Sequence, residues 1–188
     1  MNYTNSKLRV IIICGIFAAL TAILAQITIP IPVVPISGQT LAVGLTATII
    51  GSRYGAIAMI CYALLGAAGV PVFAGLKGGA QILLGPTGGY IFGFILTAYV
   101  TGLILEKTKY TLTMAMIANT VGMLITLIFG AIQLKFVLDY TWAQAIGTGV
   151  FPFIVVGLIK AFLASWLGLA VRKRLLQAKL LPQFHKAA

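Results

Sequence analysis

The sequence predicts an all-α integral membrane protein, a six-transmembrane-helix bundle with both termini cytoplasmic. Three observations predict it. Mean hydropathy is +1.09 and only 8% of the 188 residues are charged, far less charge than the surface of a soluble domain carries. Apolar stretches recur at lengths near the 20 or so residues that cross a bilayer. Thirteen Lys and Arg face only two acidic residues, and the basic ones gather between alternate stretches. One membrane domain covers 1–188, because no segment has the composition of a linker and no sustained repeat or low-complexity tract is present.

The spans follow in order. The first is placed at about 8–27; Lys7 and Arg9 ahead of it resemble the start of a signal peptide, but the run is long and lacks a small-residue cleavage site, so it is read as a retained helix. The second and third, about 40–50 and 54–68, are parted by Gly51-Ser52-Arg53. The fourth runs about 86–105, the fifth about 112–133 and the sixth about 152–171, opened by Pro152. Segment 143–151 reads as a short external or interfacial helix leading into the sixth. The stretches 28–39 and 69–84 are irregular and lie outside or fold back into the protein at membrane depth.

Sorting the cations by this map puts Lys7, Arg9, Arg53, Lys107, Lys109, Arg172, Lys173, Arg174, Lys179 and Lys186 on one side and Lys77 and Lys135 on the other. The positive-inside rule makes the first side cytoplasmic. Topology therefore accounts for the formal charge of +11. Nucleic acid is excluded as a partner, since the cations are scattered or terminal and lack interleaved aromatics.

Within the spans, Lys160 stands out. It lies eight residues beyond Pro152, about 12 Å below the outer end of its helix. A lysine at such depth costs on the order of 3 kcal/mol to insert, so it faces a cavity or a counter-charge, or else snorkels to an interface. Glu106 is expected at a cytoplasmic helix end and Asp139 in an external loop, so neither pairs with it and an anionic ligand is the remaining partner.

On the same outer side, Gly85-Pro86-Thr87-Gly88-Gly89-Tyr90 reads as a helix start whose first-turn amides would hold a carboxylate, or as a plain span start rich in small residues. Lys77, within Ala74-Gly75-Leu76-Lys77-Gly78-Gly79, reads either as a ligand-side cation or as a solvated loop lysine. Gln39 and Thr40 follow the stiff run Ile29-Pro30-Ile31-Pro32-Val33-Val34-Pro35, which is suited to a lid. They line a pocket or, for Thr40 especially, cap a helix. Phe73 and Tyr90 stack on an apolar ring or belong to an interfacial belt.

Small residues mark the first span (Gly15, Ala18, Ala19, Ala22) and the third (Ala63, Ala67) as close-packing faces, within the bundle or against another protein. Asn119 is explained by an interhelical hydrogen bond, and Cys14 and Cys61 by packing. No metal cluster, paired carboxylates, Ser/His/Asp set or Walker motif is present, and the one histidine, His185, is in the tail. Neither a catalyst nor a cofactor is expected. A carboxylate relay for proton coupling is also missing.

The segments Pro35-Ile36-Ser37-Gly38-Gln39-Thr40-Leu41, Ala67-Ala68-Gly69-Val70-Pro71-Val72-Phe73-Ala74-Gly75 and Leu84-Gly85-Pro86-Thr87-Gly88-Gly89-Tyr90 together resemble the BioY family, the biotin-binding S components of energy-coupling-factor (ECF) transporters. The resemblance extends more weakly through Pro152 to Lys160. It implies a prokaryotic plasma-membrane protein that holds biotin near the outer face under the first loop. Delivery would proceed through a membrane coupling protein and two cytoplasmic ATPases, with ATP used by those partners alone. It further implies substrate contacts from Gln39, Thr40, Phe73, Lys77, Thr87, Gly88, Tyr90, Gly157 and Lys160, and a docking face at Ala18 and Ala22. This chain departs from the family at two places: the family's Asp-x-x-Lys becomes Gly157-x-x-Lys160, and Lys77 replaces an uncharged polar residue of some members. The alternative is a self-sufficient secondary carrier for biotin or another small organic anion; a membrane enzyme is the third reading.

Overall fold

The computed structural model describes residues 3–181; Lys186 and His185 lie outside the described residues. In chain order it comprises α1 (Tyr3–Ala25), β1 (Thr28–Ile29), β2 (Ile36–Ser37), α2 (Gln39–Ala67), α3 (Ala80–Leu84), α4 (Gly88–Lys107), α5 (Leu112–Val137), α6 (Trp142–Gly149) and α7 (Phe151–Gln177). Five of these helical stretches, with α6 and α7 taken together, are long and apolar enough to cross a membrane. The long α2 is a hairpin rather than one rod, and this makes the bundle six-helical.

Gly51 turns the chain, with φ 80° and ψ −173°, a conformation that only glycine adopts without strain. Gln39 Nε2 lies 2.6 Å from Tyr62 Oη across 23 residues, where a straight helix would hold them about 34 Å apart. The second arm lies flush on the first, since a Cβ at Gly55 would sit 3.5 Å from Ala47 Cα. The turn is clamped from α4. Glu106 accepts from Ser52 N (2.8 Å) and Ser52 Oγ (2.6 Å), placing a carboxylate on the positive end of the second arm's dipole. Glu106 therefore caps a neighbouring helix, a role its place beside Lys107 does not reveal.

The hairpin packs against α1, α4 and α7, and α5 closes the bundle against α4 and α7. Arg172 of α7 donates to Ile49 O beside the turn and stacks 3.9 Å from the Tyr110 ring centroid. Arg9 donates to Lys179 O (2.8 Å). One end of the bundle thus gathers the basic residues near Gly51, the start of α1 and the end of α7, and the other carries Lys77 and Lys135. The loop residue Tyr110 is enclosed, and burial raises its phenol above the ordinary pKa.

Several boundaries differ from expectation. The fourth long helix begins at Gly88 with Thr87 as its N-cap residue, not at Pro86. The cause is Gln133, whose Nε2 bonds Leu83 O (2.8 Å) and Gly85 O (2.6 Å) and holds the chain extended at Gly85. The irregular stretch 69–84 includes the one-turn α3. Residues 142–149 do form the short helix, fixed by a reciprocal capping box between Thr141 and Gln144. Pro152 lies in the first turn of α7 as expected, but the helix begins at Phe151 and extends to Gln177.

The turn generates a stability prediction. Gly51→Ala should destabilise the bundle by about 1–3 kcal/mol, the cost of a non-glycine residue in this backbone region. Gly102→Leu, whose Cβ would meet Ser52 N at 2.2 Å, should do so as well. Both are read as a lowered melting temperature in detergent, and parental melting in both variants would show that the hairpin does not depend on this turn.

Candidate ligand cavity

At the end of the bundle opposite Gly51, a cavity of about 300 Å³ opens between the hairpin, α4, α5, α7 and the two long loops. Its size falls at the small end of ligand pockets, suited to a vitamin-sized molecule. The roof is the first loop. β1 and β2 pair antiparallel, and Val33, Val34, Pro35 and Ser37 line the cavity from above. The prolines keep this roof extended, and Val34 is buried in the core beneath it.

Hydrogen bonds join this roof to the second loop. Gln26 at the end of α1 donates to Phe73 O (3.2 Å) and accepts from Leu76 N (2.8 Å). Gln39 Oε1 accepts from Ser37 Oγ (2.6 Å), and the Tyr62 hydroxyl that faces its amide donates to Val72 O (3.0 Å). Phe73 is 1% exposed. Its ring meets Tyr62 edge-on at 5.5 Å and fills the space that a side chain at Gly66 would need.

Lys160 enters from α7. Its ammonium donates to Ser37 O (2.7 Å) and Thr40 Oγ1 (3.2 Å), so it neither snorkels nor lacks partners. The partners are a roof carbonyl and a hydroxyl, uncharged groups supplied by the lid itself. With two of its three N–H groups so engaged, one remains for the cavity. Thr40 does not cap the helix; Gly38 occupies that position. None of the lining residues is acidic.

The cavity brings together Gln39, Thr40, Phe73, Lys77, Thr87, Tyr90, Gly157 and Lys160, while Gly88 stands outside its lining. Gly88 is where α3 meets α4, since a Cβ there would lie 1.8 Å from Leu83 O. Tyr90 spends its hydroxyl on Gly149 O (2.8 Å), fastening α6 to α4. At Gly157 a Cβ would come within 2.4 Å of Met123 Sδ, so the Met123 thioether takes the room of a side chain there. Lys77 is an exposed residue at the rim. The helix-start segment contributes Gly85, Pro86 and Thr87 to the wall.

Sequence reasoning missed three contributors. Ser37 acts through its carbonyl, Met123 is an ordinary apolar residue in sequence, and Asn119, which does make the interhelical hydrogen bonds expected of it, is not read there as part of a cavity wall. Of these, Asn119 alone carried a signal, a carboxamide deep in an apolar span.

Of Ala18 and Ala22, the docking pair that the family resemblance implies, Ala18 is turned inward and Ala22 only partly so. Ala18 is 1% exposed within the core and Ala22 is half-buried. The exposed small residues of α1 are Gly15 and Ala19, one helical step around.

Fold and cavity together define a membrane-embedded helical bundle with a small-molecule cavity whose lining is basic and holds no acid. Comparison with known proteins narrows the class. The BioY family model matches residues 1–177. "Biotin transporter BioY2" of Lactococcus lactis subsp. cremoris is 40% identical over 171 residues, covering 91% of this chain and 94% of that protein. "Biotin transporter BioY" of Thermotoga maritima is 43% identical over 166 residues, covering 88% and 97%. A crystal structure of the S-component for biotin from an ECF-type ABC transporter superposes with a TM-score of 0.82 at 27% identity, covering 92% of this chain and 95% of that one. The chain belongs to the BioY family.

The Lys160 clamp predicts how the lid behaves. Lys160→Met should speed amide exchange across 28–38, with Gly38 N, bonded to Ile27 O at 2.9 Å, a direct reporter. Unchanged exchange in hydrogen–deuterium mass spectrometry would show that the lid is held by its own strands instead.

Proposed function

We propose that this protein is a high-affinity biotin-capture subunit that takes the vitamin at the outer membrane face and delivers it through an ATP-driven ECF module. The observation that carries the reading is the cavity: apolar walls, a proline-stiffened lid and two lysines with no acid among the lining residues. Biotin, with one carboxylate, a ureido group and an apolar thioether ring, has matching chemistry. Family membership and the names of the relatives support the same substrate.

In this reading Gln39, Thr40, Phe73, Thr87, Tyr90 and Gly157 shape or hydrogen-bond the site, while Lys77 and Lys160 supply its positive charge. Gly88 contributes through the packing of α3 rather than by contact. Biotin enters from the outer side, and the charge asymmetry supports an orientation with both termini cytoplasmic. The module would comprise a membrane coupling protein and two cytoplasmic ATPases, with α1 as the docking helix. In this reading the docking face comprises the half-buried Ala22 and the exposed Gly15 and Ala19, where small residues would let another helix approach, while the enclosed Ala18 supports it from behind. No cofactor or metal enters the scheme, and the protein is not an enzyme.

Titration calorimetry of the purified protein should show saturable biotin binding at about one ligand per chain without ATP or metal. Lys160→Met should weaken it by about 1.5–3 kcal/mol, the range for hydrogen bonds to a charged group. Heat from another vitamin and none from biotin would overturn the substrate while leaving the capture role.

Vesicle uptake with and without the ATPase module separates a capture subunit from a self-sufficient carrier, and module-independent accumulation would favour the carrier. Gly15→Trp should abolish co-purification with the module and leave biotin binding intact. Unchanged co-purification would remove this face from the docking surface.

A further inference from the structure

The polar groups of the cavity are mostly committed to one another. Ser37 and Gln39 bond each other, Tyr90 is held by Gly149, and Thr97 and Thr126 share a bond of 2.8 Å. Lys77 and Lys160 offer only donors. Asn119 differs. Its Nδ2 is satisfied from below and beside, by Thr48 Oγ1 (3.1 Å), Ser165 Oγ (3.1 Å) and Ala115 O (3.0 Å). Its Oδ1 accepts from none of the described residues.

Asn119 is 5% exposed, yet it lines the cavity. The oxygen is not sealed off, because Tyr110 Oη is the one fully enclosed side-chain polar atom without a partner among the described residues. It rests beside Gly44, where a Cβ would come within 2.5 Å of it, so the missing side chain at 44 keeps it uncovered. Depth follows from its neighbours. Ser165 lies more than a turn beyond Lys160 along α7, about 7 Å further from the outer end. Thr48 lies two turns beyond Thr40 along the first arm of α2. The cavity thus has cations at its rim and middle and a lone carboxamide acceptor at its floor.

We infer that Asn119 Oδ1 is the acceptor for a ring N–H of the ligand, which makes the site directional. The donor-bearing ring enters first and the carboxylate trails toward the rim. The inference rests on the reading of the cavity as a biotin site and adds the residue that reads the ureido nitrogen. An amide oxygen in a low-dielectric interior is left wanting a donor. A ureido N–H meets that need, whereas a ring oxygen in its place would face Oδ1 with a second acceptor.

The experiment compares biotin with two analogues, in which one ring N–H or the other is replaced by a ring oxygen, on the full chain and on Asn119→Ala. On the parent protein, one analogue should bind at least about 10-fold more weakly than biotin, the effect of a lost hydrogen bond together with acceptor–acceptor repulsion. On Asn119→Ala, that difference should shrink to within about 2-fold, with biotin itself weakened toward the analogue. Both analogues binding the parent as tightly as biotin would overturn the inference alone, and this arm needs no variant to fold. An undiminished difference on Asn119→Ala would assign the N–H to another acceptor and overturn it too. Failure of biotin itself to bind the parent would overturn the functional reading and the inference with it.

Discussion

The ammonium of Lys160 is the constraint on which the cavity-bearing half of the molecule depends. A charge about 12 Å below a helix end in an apolar bundle must be solvated by protein or ligand. Here the solvating groups are the Ser37 carbonyl and the Thr40 hydroxyl, one at the base of the lid and the other in the first turn below it. The need of the lysine for partners therefore draws the lid onto α7. Gln26, Gln39 and Tyr62 pass the connection on to the second loop. The two loops over the cavity consequently behave as one hydrogen-bonded roof, anchored from beneath by a single cation.

The opposite end is organised by charge of both signs. Glu106 neutralises the start of the second hairpin arm, and Arg172 spans from α7 to the end of the first arm and the Tyr110 ring. The hairpin is thereby fastened at its closed end by charged groups and at its open end by Gln39 and Tyr62. Rigid ends leave the middle to be filled by small residues, and the cavity floor forms where Gly44 and Ala164 allow Asn119 to fit between α2 and α7.

Much of this architecture was legible in the sequence because bilayer thickness and the distribution of Lys and Arg are strong, additive signals. The six spans follow from them, while the break at Gly51 and the short helix before Pro152 follow from glycine and proline punctuation. Motif segments drew Gln39, Phe73 and Tyr90 to one end of the bundle, and an isolated charge drew attention to Lys160. Other features depend on contacts between segments far apart in sequence. The start of α4 is moved by Gln133 from another helix, and the inward turn of Ala18 is decided by which side of α1 the hairpin covers. Small-residue spacing shows that a face packs closely; it does not show against what. The Ser37 carbonyl carried no signal at all, since every residue has one.

The hairpin has a consequence for the surrounding bilayer. Its first arm, residues 39–50, rises only about 18 Å and its second, 52–67, about 24 Å at 1.5 Å per residue, both short of a hydrocarbon layer of about 30 Å. More than half of the most apolar stretch of α2 is covered by protein, so α1, α4 and α7 shield the deficit on most sides. Where the hairpin does reach lipid, acyl chains must compress toward the Gly51 turn and polar headgroups must sink to meet it. The protein therefore carries a built-in hydrophobic mismatch along one flank. On that flank the fit between helix and hydrocarbon is therefore set by two short arms rather than by one full-length span.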